Sequence, residues 1–150
     1  VLELKEIKKI SETVSFNHHN LVKDGLSTYT THRCFLTDFN LNQLHKRILS
    51  TLEYFLGHPM AISNSWINVM GSGAKVNPHI HRNSFYSGAI YPDLEDNSAN
   101  IIFENNNQIF EADIKSNYIY LFPSNLLHYT EENKSSNRIV LSFNAFKHYE

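Results

Sequence analysis

Two histidines, His79 and His81, stand two positions apart in the stretch "NPHIHRNSFYSGAIYP" (77–92). Side chains two apart on a β-strand point to the same face, so both imidazoles can reach one ion. An H-x-H pair is a weak signal by itself, because histidine is a common ligand and also a common surface residue. Its weight depends on the residues downstream. "LFPSNLLHYT" carries His128, and "NRIVLSFNAF" carries Arg138 ten positions later. On a strand over 138–146, Arg138, Val140, Ser142 and Asn144 share one face. Ile139, Leu141, Phe143 and Ala145 share the other. The second face is wholly apolar and belongs to a core. The first presents an arginine from a strand too apolar to be a wet edge. A guanidinium so placed fits a carboxylate, which its planar fork grips with two hydrogen bonds. The alternative is a surface arginine paired with a glutamate. Two histidines on an early strand, one near the end and an arginine on the last strand would suit an iron site beside a bound dicarboxylate. Imidazoles hold the ion, and open positions remain for a chelating cosubstrate and dioxygen.

Asn68 lies eleven positions before His79 on the preceding strand. Between Trp66 and Met70 it reads, on its own, as a satisfied polar residue. Ser142 shares the face of Arg138. Tyr86, Tyr91 and Tyr120 are candidates for the pocket wall, or core and rim aromatics. His18, His19 and His32 fall in the polar, turn-rich "SFNHHNLVKDGLSTYTTHRCF" and read as loop or surface histidines, since no rigid strand fixes them.

These residues need a rigid frame. Leu41, Leu44, Ile48, Leu52, Phe55 and Leu56 recur at steps of three and four, which predicts a helix over 41–56. Asp38 or Asn40 is its expected cap, and Gly57 with Pro59 its stop. A shorter helix is expected over 2–10. From residue 60 the pattern changes to short strands: 65–70, 75–81, 85–91, 100–104, 108–112, 118–122, 126–131 and 138–146. Turn residues separate them, among them Gly71-Ser72-Gly73, Asn105-Asn106-Asn107 and Pro123-Ser124-Asn125. Eight short strands after helices predict a mainly β chain with N-terminal helices (α+β) and a two-sheet jelly roll, the 41–56 helix packed outside it.

The 150 residues fit a single domain, with 1–58 as helical support and 60–146 as the β core. A net charge of −2 with scattered basic residues gives no general attraction to nucleic acid or anionic lipid. No apolar run approaches the ~20 residues that span a bilayer. One cysteine, Cys34, cannot form an internal disulfide, which favours a reducing, cytoplasmic setting. The chain opens on Val1, and no signal peptide is visible.

The segments "SWINVMGSGAKVNPHIHRNSFYSGAIYP", "YLFPSNLLHYT" and "NRIVLSFN" resemble a family of 2-oxoglutarate/Fe(II)-dependent oxygenases from bacteria and phages. This family is related to the prolyl-4-hydroxylase-like group. The H-x-H, S-G-x-x-Y, F-P-S-x-x-x-H and R-x-x-x-S-F-N pieces stand in the family's order. The resemblance implies a double-stranded β-helix (jelly roll, cupin-like) with Fe(II) as cofactor and 2-oxoglutarate as cosubstrate. His79 and His128 would be metal ligands, Arg138 would bind the C5 carboxylate of 2-oxoglutarate, and Asn68, where related oxygenases commonly carry an Asn, would donate to 2-oxoglutarate. The chemistry implied is hydroxylation with release of succinate and CO2. Fold-level analogy points to a prolyl or other peptidyl side chain as one substrate class. One departure matters: most relatives carry His-x-Asp or His-x-Glu, and here the second position is His81. Either His81 completes the set, or Asp93 or Glu104 does. Two rival readings remain: a non-catalytic jelly-roll binding module, and a three-histidine thiol-type dioxygenase that does not use 2-oxoglutarate. The expected partners are a small-molecule cosubstrate and an unidentified primary substrate, protein or peptide among the options, with no nucleic acid and no membrane. Homodimerisation is left open.

Overall fold

A computed structural model describes residues 2–19 and 21–149. Its organising element is the last strand, β10 (Arg138–Lys147). On one side it pairs with β3 (Met60–Met70), and on the other with β5 (Tyr86–Ile90). β2 (Leu26–Ser27) and β8 (Ile119–Pro123) close the edges, giving the order β2-β3-β10-β5-β8. The alternation read from 138–146 explains why β10 is central. Ile139, Leu141, Phe143 and Ala145 are at most 3% exposed and form the main core. Ile67 and Ile90 join them from the neighbouring strands.

Three helices cover that apolar face: α1 (Leu2–Ser11), α2 (Phe35–Asp38) and α3 (Asn42–Leu56). Leu44, Ile48 and Leu52 of α3 are buried there, as the three-and-four spacing requires. Phe55, expected on the same face, is instead largely exposed. α3 ends as expected on Gly57, whose φ of 67° is cheap only for glycine. Its start differs from expectation. Neither Asp38 nor Asn40 caps it; the N-cap is Leu41, which makes no side-chain bond. The Glu3 carboxylate of α1 accepts the backbone N–H groups of Gln43 and Leu44 instead. A carboxylate at that end also suits the helix dipole.

The opposite face of the large sheet meets a second layer. β6 (Ile101–Asn105) and β7 (Gln108–Ala112) form a hairpin, with Asn106 and Asn107 at φ 50° and 63° in its turn. Asparagine tolerates that conformation, which is why the Asn105-Asn106-Asn107 run marks the turn. β9 (Leu127–Tyr129) pairs with β6. Beyond it lies a segment read from the sequence as one strand over 75–81. Regular pairing in fact covers only β4 (Lys75–Val76), which meets β1 (Val22–Lys23). The stretch resumes as a bridge at His79 opposite His128. Pro78 has no N–H to give a ladder, which accounts for the interruption. Two further expectations change: the strand expected at 65–70 begins at Met60, and that at 126–131 shrinks to 127–129. β1 and β2 arise in the region read as loop. The two facing layers make the double-stranded β-helix expected from the sequence.

Candidate metal and cosubstrate site

His79 and His128 are locked by their own backbones. Each N–H donates to the other's carbonyl at 3.1 Å. His81 N–H donates to the Ser124 carbonyl at 2.8 Å, which extends the same ladder. Ser124 is fully buried, and its hydroxyl bonds those of Ser84 (3.0 Å) and Ser87 (2.8 Å). Ser87 in turn donates to Asn144 Oδ1 at 2.8 Å. The S-G-x-x-Y, F-P-S and S-F-N pieces therefore meet in one buried network behind the histidines. Gly88 belongs to it sterically. A Cβ there would fall 2.2 Å from Cζ of Phe143, so only glycine admits that ring.

The three imidazoles converge, with one ring nitrogen from each within 4.8 Å of the others. His79 Nδ1 donates to the Asn77 carbonyl and His128 Nδ1 to the Leu126 carbonyl, both at 2.8 Å. These bonds make Nε2 the acceptor nitrogen of both rings, the arrangement that orients imidazole ligands, and that of His128 accepts a hydrogen bond from His81. Nε2 of His81 lies 3.0 Å from Nε2 of His128. Two nitrogens ~2.1 Å from one ion and at right angles to each other stand roughly 3.0 Å apart, so the spacing suits a shared cation. Burial lowers the affinity of all three rings for protons. For His81, burial and then the neighbouring imidazoles push the pKa down to about 3. For His128, burial and then His79 push it down to about 4. The rings are therefore neutral at physiological pH, the form in which imidazole binds metal. The carboxylates weighed as alternatives lie elsewhere. Asp93 pairs with Lys8 at 2.8 Å on the surface, and Glu104 is outside the cluster.

The histidines line a cavity of about 380 Å³. Arg138, Asn68 and Ser142 line it too, Arg138 and Ser142 from the strand face they share. Arg138 is only 1% exposed. Its Nε donates to the Ala99 carbonyl at 2.8 Å, Nη1 lies 3.2 Å from Met70 Sδ, and the Tyr91 ring centroid is 5.0 Å away. No carboxylate among the described residues pairs with it. A buried cation without a counter-ion is expensive, and an anionic ligand is one way to offset it. Asn68 is 7% exposed, and its Oδ1 is the buried side-chain polar atom left without a partner among the described residues. Both observations fit a polar ligand on this wall. Of the three tyrosines, Tyr91 lines the cavity; Tyr86 and Tyr120 do not. His19, read as a loop histidine, lines it as well, against Tyr29 with ring centroids 4.9 Å apart. No local periodicity marks it, because its position depends on β1 pairing with β4 more than fifty residues away.

The fold is that of the 2-oxoglutarate/Fe(II)-dependent oxygenases, and the three convergent histidines give it a candidate metal site. More particularly, residues 64–118 match the model of the family described as "Putative 2OG-Fe(II) oxygenase". Among solved structures, a 2OG-Fe(II) oxygenase-family oxidoreductase from Burkholderia pseudomallei superposes with a TM-score of 0.81 at 13% identity. The match covers 99% of this chain and 79% of that one. HygX from Streptomyces hygroscopicus, solved with nickel and 2-oxoglutarate, gives 0.74 at 8% identity over 98% and 79%. A Pseudomonas putida prolyl-4-hydroxylase gives 0.63 at 12% identity over 99% and 85%. Among curated proteins none matches the sequence. No helix among the described residues is long and apolar enough to cross a membrane.

Proposed function

We propose that His79, His81 and His128 hold Fe(II), and that Arg138 binds the C5 carboxylate of 2-oxoglutarate, with Asn68 and Ser142 contributing on the same wall. Bound iron and 2-oxoglutarate supply the oxidising chemistry: dioxygen is consumed, the cosubstrate becomes succinate and CO2, and the primary substrate is hydroxylated. The chain's own part is geometric and electrostatic. The His79–His128 ladder presents the imidazoles in the tautomer that binds metal. The Arg138 guanidinium lies over the Tyr91 ring, which helps to hold it in place. Val140, Ile101 and Phe122 line the same cavity and limit water around the reacting groups.

The observation that carries this reading is Arg138, a buried guanidinium without a carboxylate that shares a cavity with three convergent imidazoles. Anaerobic calorimetry with Zn(II) in place of iron tests it. The wild type should bind 2-oxoglutarate, and Arg138→Ala should bind it ~30- to 1,000-fold more weakly, a loss of ~2–4 kcal/mol. Arg138→Lys should recover only part, because lysine lacks the planar fork. Equal affinity in all three proteins, or no binding to any, removes 2-oxoglutarate from the mechanism.

The all-histidine set also suits a thiol-type dioxygenase, in which Arg138 would hold a substrate carboxylate. Formation of succinate from 2-oxoglutarate separates the two. We read residues 1–150 as one oxygenase-like domain, with 1–58 supporting the 60–146 core, because the helices pack on the large sheet. Cys34 without a disulfide partner supports a cytoplasmic setting. The primary substrate could belong to either kind seen among the similar folds: HygX has been solved with hygromycin B, and a Trichoplax adhaerens prolyl hydroxylase with a peptide fragment.

A further inference from the structure

The cavity that holds the histidine cluster is charged with one sign. Its lining includes two guanidiniums, the buried Arg138 and Arg82, and no aspartate or glutamate among the described residues. The two arginines differ in kind. Arg138 is buried and tied down by Ala99, Met70 and Tyr91. Arg82 is exposed, follows His81 directly in the chain and forms no ion pair among the described residues.

Charge arithmetic then constrains what can enter, given the proposed iron and 2-oxoglutarate site on which this step rests. Metal-bound imidazoles are neutral, so three of them leave the ion its full double positive charge. The cosubstrate dianion cancels the ion. The two arginines remain uncancelled, whereas a site with a ligand carboxylate would carry one positive charge fewer. A concave, partly dry site with uncancelled positive charge concentrates anions and disfavours cations.

An aromatic wall lies beside that charge. Tyr29 packs edge-on against both His19 and Trp66, at 4.9 and 5.0 Å between centroids. Trp66 in turn sits 5.7 Å from the His81 ring. Tyr29 is 42% exposed, Ile80 38%, and all of these residues line the cavity. The volume, about 380 Å³, lies near the lower end of the ~300–1,000 Å³ typical of small-molecule sites, and the cosubstrate takes part of it.

We infer that the primary substrate is a small molecule bearing a carboxylate or phosphate, held by Arg82, with a planar or apolar body laid against Tyr29 and Trp66. The anion fixes orientation at the mouth, and the aromatic wall contributes the apolar contact beside His81.

Trp66 is the chain's single tryptophan, so its fluorescence reports on this wall alone. The probes are benzoate, phenyl phosphate and benzamide, the last a neutral near-isostere of benzoate. Each is titrated into Zn(II)-loaded protein saturated with 2-oxoglutarate, so that Arg138 is already engaged. Benzoate or phenyl phosphate should bind at least tenfold more tightly than benzamide, and whichever is preferred identifies the anion. Arg82→Gln should erase that preference while leaving 2-oxoglutarate affinity unchanged; Arg82→Lys should retain part of it. The side chain is exposed, so the variants are expected to fold, and a circular dichroism melt checks this. Equal binding of charged and neutral probes, no binding of any, or a preference that survives Arg82→Gln overturns the inference. If 2-oxoglutarate itself fails to bind but benzoate still binds through Arg82, the cosubstrate reading falls and the anion site stands.

Discussion

Replacing Arg138 by methionine should separate a binding arginine from a structural one, because the two roles predict opposite signs. Methionine keeps much of the length and removes the charge. The losses can be read from the contacts. One is the Nε–H bond to the Ala99 carbonyl at 2.8 Å, worth ~1.5–3 kcal/mol for a charged donor. Another is the contact with Tyr91 at 5.0 Å, worth ~0.5–2 kcal/mol. Against these stands relief of a guanidinium 1% exposed with no counter-ion, a penalty of several kcal/mol. The ligand-free variant should therefore melt at or above the wild-type temperature. Ligand reverses the order. At 100 times its dissociation constant, 2-oxoglutarate should stabilise the wild type by ~2.7 kcal/mol. For a chain of this size that is about 8–11 °C, at ~3–4 °C per kcal/mol. The variant should gain almost nothing. Scanning calorimetry of the Zn(II)-loaded proteins, with and without 2-oxoglutarate, measures both quantities. A variant that melts more than ~10 °C below wild type without ligand would show that Arg138 serves the fold, and the argument from its missing counter-ion would fail.

Three other outcomes follow from the same geometry. Gly88→Ala must displace the Phe143 ring, which a Cβ would meet at 2.2 Å; the melting temperature should fall by an amount equivalent to ~3 kcal/mol or more, and a wild-type melt would contradict the close approach. His81→Asp restores the commoner ligand pattern and should keep metal. It adds a negative charge beside the dianion, worth ~2–3 kcal/mol at ~6 Å and an effective dielectric of ~20, so calorimetry should register at least a tenfold loss of 2-oxoglutarate affinity. The third concerns pH in metal-free protein. His81 and His128 have folded pKa values of about 3 and 4, below the unfolded ~6.5, so the unfolded state takes up protons first as pH falls. Their neutral burial is therefore without penalty above ~pH 7, and stability declines from ~6.5 toward 4 by up to ~1.4 kcal/mol per pH unit for each ring. A His81→Gln, His128→Gln double variant should show a shallower decline in melting temperature, and an unchanged slope would refute the assignment.

Much of this was legible because alternation on a strand is a strict rule. Once 138–146 is read as a strand, Arg138 and Ser142 must share the face opposite Leu141 and Phe143, and both line the cavity. His79 and His81 converge for the same reason. What escaped the sequence depends on partners far along the chain. The cap of α3 comes from Glu3, some forty residues earlier. β1 and β2 are two residues each, too short to show any period, and His19 reaches the cavity only because β1 lies against β4. Tyr86, Tyr91 and Tyr120 could not be ranked as wall residues, since distance along a strand says nothing about where a cavity ends.

The reciprocal backbone bonds between His79 and His128 also bear on how metal is acquired. In small zinc modules the ion organises the chain, so occupancy and folding are one event. Here two imidazoles are aligned by backbone hydrogen bonds in which no ion takes part. The apoprotein should be folded and its metal exchangeable. Three nitrogen donors rank divalent ions in the order Fe < Co < Ni < Cu, with Zn below Cu, so the site itself does not favour iron. Which ion occupies it is then a matter of supply, and the metal content of a preparation would record the ions available to the cell that made it rather than the chemistry the fold serves.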